Sequence, residues 1–207
     1  YQLAREHAKS RFVNLWFYVP KQSLGKPGIA RVLYYQGLAS HALPMPHYPH
    51  NRNAGTPETD AAFFRFVRET ASFFGRREQV AHTGIYFSSS SQLAALAPGG
   101  FVDFDNQAHS FSFWGWGTAL SWLHIPWRAV PQWKVHDEML KGLNRLIIPS
   151  AHVIPEENCA ALKKWVSDGG QLVITGECGT RLGEKHIFNR LHPRTDLARR
   201  LGVVKTE

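Results

Sequence analysis

Cys178, in the run Thr175-Gly176-Glu177-Cys178-Gly179, carries a thiol that could do chemistry, although its plainer reading is a small residue packed at a strand end. It follows an apolar stretch and is flanked by a turn-forming glycine, so a thiolate there could attack an electrophilic carbon. Ser150 and His152 follow a second apolar stretch, and Ser88 to Ser91 follow a third. With the Glu177 carboxylate, those hydroxyls and that imidazole could instead hold a small ligand at the ends of strands. For the serines the plainer reading is a turn and a helix cap. His41, His47 and His50, with Asn51, offer donors for a metal. Pro44, Pro46 and Pro49 keep that segment extended, and three imidazoles seldom converge from an extended path, so no metal is expected and no cofactor. Cys159 and Cys178 are the only cysteines, which makes neither a disulfide framework nor a zinc pattern.

Groups at strand ends act together only if the strands lie side by side. The stretch from Leu143 to Thr180 shows how that arises. Leu146-Ile147-Ile148 is a short β-branched run stopped by Pro149-Ser150, which predicts a buried strand. Pro155 can open a helix because a first helical residue needs no N–H. Glu156 and Glu157 then suit its positive end, Lys163 and Lys164 its negative end, and Gly169-Gly170 closes it after about four turns. Ala161, Leu162, Trp165 and Val166 recur at helical spacing, and Gln171 to Thr175 follows at once as a second strand. Strand, helix and parallel strand make the repeating unit of an α/β sheet.

The rest of the chain is read on the same terms. Tyr1 to Lys9 ends a helix, and Phe12 to Val19 is an aromatic strand closed by Pro20. Ile29, Val32, Leu33, Gln36 and Ser40 mark a helix, and Leu43 to Asn51 is extended. Thr56 caps a long amphipathic helix whose apolar positions are Phe63, Phe64, Val67, Ala71 and Phe74. Gly75 to Glu78 is a boundary, giving domains at 1–79 and 80–207. From residue 80 the pattern is a strand at Thr83 to Phe87, an aromatic loop from Phe101 to Trp114, and a helix from Thr118 to His124 with Ala119, Leu120 and Leu123 inward. A strand at Trp127 to Val130 and a helical turn at Met139 to Gly142 follow. Alternation of this kind predicts a doubly wound, mostly parallel flavodoxin-like sheet with helices on both faces. Phe101, Phe104, Phe111, Phe113, Trp114 and Trp116 exceed what a solvated loop carries, so they must be buried against something.

Composition excludes some classes. The chain has 207 residues, 43% hydrophobic and 19% charged, which suits a globular protein of one or two domains. Its net charge of +8 is scattered rather than gathered in a basic stripe, so nucleic acid is not expected as a partner. No apolar run reaches a membrane span, and no membrane partner is expected. A chain that starts at Tyr1 reads as a piece of a longer protein, with the compartment left open and the cytoplasm favoured, since a missing N-terminus could have carried a signal.

Gly84-Ile85-Tyr86-Phe87-Ser88, Leu120 to Val130 with Leu-His-Ile-Pro at its centre, Leu146 to Ser150, Trp165-Val166 with Gly169-Gly170, and Leu201-Gly202-Val203 together resemble a known domain. It is the glutamine-amidotransferase-like domain that follows the catalytic barrel in glycoside hydrolase family 42 β-galactosidases, where it is called the trimerisation domain. Residues 11–74 similarly look like the last strands and exit helix of a (β/α)8 barrel. The resemblance implies a parent enzyme acting on carbohydrate through a barrel mostly outside this chain, and a homo-oligomer. His47, Tyr48, His50, Asn51, Trp114 and Trp116 would line the sugar.

Hydrolysis of a glycosidic bond needs two carboxyl groups, and no strand end before residue 75 offers one. Glu58 and Asp60 open a helix. In active amidotransferases a Cys stands at a sharp strand-to-helix turn, and by alignment that position falls on Glu177, with Cys178 one residue late. The His-x-Glu partner of that family is also missing, as His186 and His192 lack its spacing. The chain alone is therefore expected to be noncatalytic, an accessory and oligomerisation domain in carbohydrate metabolism. The alternatives are a Cys178-dependent enzyme and a ligand module built on Ser88, Ser150, His152 and Glu177.

Overall fold

The computed structural model describes residues 2–7, 13–18, 27–40, 42–47, 57–74, 80–94, 108–135 and 138–179. The chain divides into two compact units, Tyr1–Gln79 and Val80–Glu207. No described helix is long and apolar enough to cross a membrane.

The first unit contains α1 (Gln2–His7), β1 (Val13–Tyr18), α2 (Pro27–Ala39), β2 (Ala42–His47) and α3 (Pro57–Phe74). β1 and β2 pair in parallel from Val13 opposite Ala42 to Tyr18 opposite His47, with α2 as the crossover. The buried stripe of α2 is Ala30, Tyr34 and Leu38, not the expected set, because Val32 and Gln36 point to solvent. Tyr34 can be buried because its hydroxyl donates to Asp60 Oδ1 at 2.6 Å while its ring stacks on Phe63 at 4.6 Å. Asp60 thus serves the packing of α2 on α3. On α3, Phe63 is buried as expected, whereas Phe64 is exposed and Phe66 packs in its place.

Among the described residues, the second unit forms a four-stranded, all-parallel sheet in the order β4-β3-β5-β6. Its elements are β3 (Thr83–Phe87), α4 (Ser89–Ala94), α5 (Ala108–Trp122), β4 (Trp127–Pro131), β5 (Arg145–Pro149), α6 (Glu156–Ser167) and β6 (Gln171–Thr175). Short 3-10 turns at Gln132–Lys134 and Glu138–Leu140 carry the chain from β4 to β5. The fold is the doubly wound flavodoxin-like α/β class. Side chains alternate along β3, so Phe87 meets Phe113 of α5 at 5.2 Å on one face. On the other face Tyr86 joins Val130, Leu146, Ile148, Cys159 and Leu162 in the core under α6. Pro155 is the residue before α6 rather than its first, and the helix has 12 residues, about three turns.

Two features of α5 depart from the sequence reading. The helix begins at Ala108, so Phe111, Phe113 and Trp114 are helical rather than in a loop. Its buried stripe is His109, Phe113, Gly117 and Leu120, while Ala119 and Leu123 face solvent. Gly117 makes room for the Trp127 ring, which a Cβ there would approach to 2.7 Å.

Gly84 has a packing role in the central strand. A Cβ on it would lie 2.8 Å from both Leu143 Cδ1 and Val130 Cγ2. Gly84→Val should therefore overpack the core beneath α6 and cost about 1–3 kcal/mol. A urea midpoint equal to that of the parent would contradict this placement.

Candidate functional site

In a doubly wound sheet the natural binding crevice lies outside the strand C-termini where successive connections leave on opposite faces. Here the chain leaves β3 toward α5 and β5 toward α6, so the crevice opens between Phe87-Ser88 and Pro149-Ser150.

The protein's own polar groups fill that crevice. Ser88 caps α4, its Oγ accepting from Ser91 N at 3.0 Å and lying 2.7 Å from Val153 O. Gln132 Oε1 accepts from Ser90 N at 3.1 Å, and Gln132 Nε2 donates to Ser90 Oγ at 2.8 Å. Val153 N donates to Ser91 Oγ at 2.9 Å. Below them Asn158 Nδ2 donates to both Tyr86 OH and Gln132 O, each at 2.9 Å. All of these side chains are buried. A satisfied network of this kind rigidifies the strand ends and leaves its hydroxyls no spare bond for a guest.

His109 seals the same crevice from α5. Its Nδ1 lies 2.6 Å from Pro149 O, an acceptor only, so Nδ1 carries the proton. Nε2 accepts from Ser88 N at 2.8 Å, so it carries none. The imidazole is neutral, and burial lowers its pKa to about 4, against the carbonyl hydrogen bond that raises it and with His152 adding a smaller lowering. One ring therefore ties together the ends of β3 and β5 and the start of α5.

The edge between β5 and β6 is more open. Ser150 stands in the left-handed region with φ 44°, which is uncommon for a residue with a Cβ. It is held there by its N–H on Thr175 O at 2.7 Å and its Oγ against Ser112 Oγ at 3.2 Å. Gly176 faces it with φ 65°, and a Cβ at that position would overlap Ser150 Oγ. His152 Nδ1 lies 3.6 Å from Glu177 Oε2, and that carboxylate is largely exposed. Cys178 turns the other way. It is 3% exposed, its sulfur accepting from Ala151 N at 3.3 Å and lying 3.4 Å from Ile148 O. The thiol thus ties the loops after β5 and β6 to each other, and Glu177 occupies the outward position in that turn.

Among the remaining expected residues, Trp114 and Trp116 do not share a face. Trp114 is exposed, while Trp116 is half-buried and donates from Nε1 to Thr175 Oγ1 at 3.2 Å. His47 ends β2, its side chain outside the described residues, as are Tyr48, His50 and Asn51 altogether. No group of three His, Cys, Asp or Glu among the described residues could hold a metal. The sequence reading missed His109, Ser112, Gln132 and Asn158. None had a legible signal: His109 stands four residues before Phe113 on the buried stripe of α5, but the start of that helix does not show in the sequence.

No family model matches the chain, and no curated protein matches it. Solved structures do share its fold. One is Gan42B, a GH42 β-galactosidase from G., with 19% identity, TM-score 0.52, and 76% of this chain and 25% of that one covered. Another is α-L-fucosidase isoenzyme 2 from Paenibacillus thiaminolyticus, with 15% identity, TM-score 0.53, and coverage of 84% and 25%. A β-galactosidase from Bifidobacterium adolescentis matches at 17% identity and TM-score 0.41, over 55% of this chain and 45% of that one. The chain spans less than half the length of each. At these identities the likeness is one of fold, and the fold is one that glycoside hydrolases contain.

Proposed function

We propose that this chain is a noncatalytic accessory and oligomerisation domain of a β-galactosidase-like glycoside hydrolase, with the catalytic carboxylates supplied outside it. On this reading residues 80–207 are an amidotransferase-like domain and residues 1–79 the end of the barrel. The observation that carries it is the filled crevice between β3 and β5, with the neighbouring thiol buried. The hydroxyls of Ser88, Ser90 and Ser91 are spent on Gln132 and Val153, the His109 ring is spent on Pro149 and Ser88, and the Cys178 sulfur is buried against backbone. Acyl transfer by a cysteine requires an accessible thiolate with a base beside it, and this thiol sits in a closed turn.

The native chain is expected to leave aryl β-galactosides uncleaved and to react with iodoacetamide at Cys178 roughly tenfold or more slowly than an exposed cysteine does. Turnover by the purified chain, or full labelling of Cys178 at the rate of an exposed thiol, would overturn the reading.

A further inference from the structure

Where β5 and β6 begin, at the end of the sheet opposite the crevice, the second unit holds an open hollow of about 410 Å³, lined entirely by described residues. Its size is that of pockets that take small molecules. Leu143 is buried in it and Trp165 half-buried, while Asn144, Asp168 and Gln171 are exposed. Chain path explains why these residues meet. α6 turns back into β6 through Gly169, at φ 101°, and Gly170, so the last turn of the helix lies beside Gln171. β5 pairs with β6 from Arg145 opposite Gln171, which brings Leu143 and Asn144 to the same rim.

Backbone hydrogen bonds hold the rim in shape. Asn144 N donates to His82 O at 2.8 Å, Gln171 N to Asn144 O at 2.9 Å, and Gly170 N to Trp165 O at 3.0 Å. The Trp165 indole lies against Gly170, where a Cβ would overlap the atoms of the ring fusion. The side chains are less committed. Gln171 Oε1 accepts from Arg145 at 3.0 Å, and one Asp168 oxygen accepts from Lys164 at 2.6 Å. The Asn144 amide, Gln171 Nε2 and Trp165 Nε1 have no hydrogen-bond partner among the described residues.

We propose that this hollow binds a neutral, hydroxyl-rich ring, that is, a monosaccharide unit. The lining disfavours the other classes of small ligand. An anion would meet the Asp168 carboxylate. A cation would find that carboxylate already paired with Lys164, the Arg145 guanidinium on Gln171, and a chain of net charge +8. A wholly apolar guest would strip water from the amides and the indole N–H without replacing their hydrogen bonds. A sugar meets each demand, because its C–H face can lie on an aromatic ring while its hydroxyls both donate and accept. They can therefore serve the carboxylate and the amides alike. The proposal goes beyond the accessory role and does not rest on it, since none of these residues belongs to the crevice or to the turn that holds Cys178.

The direct measurement is an NMR titration of the full chain with D-galactose and with D-glucose, each to about 100 mM, following side-chain amide and indole N–H signals. The Asn144, Gln171 and Trp165 signals should shift and saturate with at least one hexose. The dissociation constant should be on the order of 1–10 mM, as suits a dozen or so heavy atoms in an open site. Tetramethylammonium and inorganic phosphate should leave these signals in place. Asn144→Ala and Asp168→Ala alter only exposed side chains, so each should keep the thermal midpoint within a few degrees while weakening hexose binding by about threefold to tenfold. No saturable shift with either hexose would overturn the proposal, as would undiminished affinity in both variants. Shifts of the same signals by the cation or by phosphate would overturn it too, by giving the hollow to a charged ligand. None of these outcomes bears on the filled crevice, which the thiol and turnover measurements test separately.

Discussion

Between pH 7 and pH 4 the protein should lose about 3 kcal/mol of stability through one side chain, His109. Its pKa falls from 6.5 in the unfolded chain to about 4 in the folded one, because burial penalises the imidazolium. The unfolded state therefore takes up the proton first as pH falls. The contribution of His109 is complete above about pH 6.5, declines as pH drops toward 4, and changes no further once both states are protonated. Geometry gives the same sign. A proton on Nε2 would set an N–H against the Ser88 N–H that now donates to it at 2.8 Å. Nδ1 cannot yield its place, since it already donates to Pro149 O. The neighbouring imidazole of His152 adds to the penalty.

The test is urea denaturation across this pH range in the parent and in His109→Leu. The variant should be less stable at pH 7 by about 2–4 kcal/mol, since Ser88 N–H and Pro149 O lose their partner in a buried place. It should also show a flatter decline toward pH 4, which separates His109 from the carboxylates that titrate in the same range. A variant with the parent's slope would sink the assignment.

Gln132→Leu should be comparably damaging, at about 3 kcal/mol, or a fall of about 6–12 °C in the thermal midpoint for a chain of this size. Gln132 is 5% exposed and holds the network from both ends, accepting from Ser90 N and donating to Ser90 Oγ. Leucine fills the volume but removes both bonds to Ser90. Gln132→Glu distinguishes this cause from a simple packing defect. A neutral carboxyl can accept from Ser90 N and donate to Ser90 Oγ, whereas a buried carboxylate cannot donate at all. That variant should be nearer the parent at pH 5 than at pH 8. The pKa of the new carboxyl is raised by burial, so its stabilising form is lost as pH rises. Equal stability of the leucine variant and the parent would show that the network is dispensable.

How far such residues could be read in advance depended on how local their signals are. β5, α6 and β6 were legible because each boundary is announced within a few residues. Pro149-Ser150 ends one strand, Pro155 with Glu156 and Glu157 opens the helix, and Gly169-Gly170 closes it before Gln171. Alternation of such units determined the α/β class. The start of α5 was not legible, because periodicity is detected as contrast between two faces and this helix is apolar on both. The buried stripe of α2 was misplaced for a related reason. Tyr34 counts as amphipathic in sequence, and only Asp60, 26 residues away, makes it a core residue.

The sequence by itself thus determined the alternation of strands and helices from residue 80 and the pairing of Glu177 with Cys178 in the turn after β6. Tertiary structure alone decided which way that turn's side chains face and what occupies the crevice above the sheet. The partners there stand 42 residues apart for Ser90 and Gln132, 62 for Ser91 and Val153, and 72 for Tyr86 and Asn158. A hydrogen bond across such separations leaves no trace in local pattern, since any serine or glutamine has the same donors wherever it lies. The buried Cys178 sulfur and the left-handed Ser150 follow from contacts made only when β5 and β6 lie side by side.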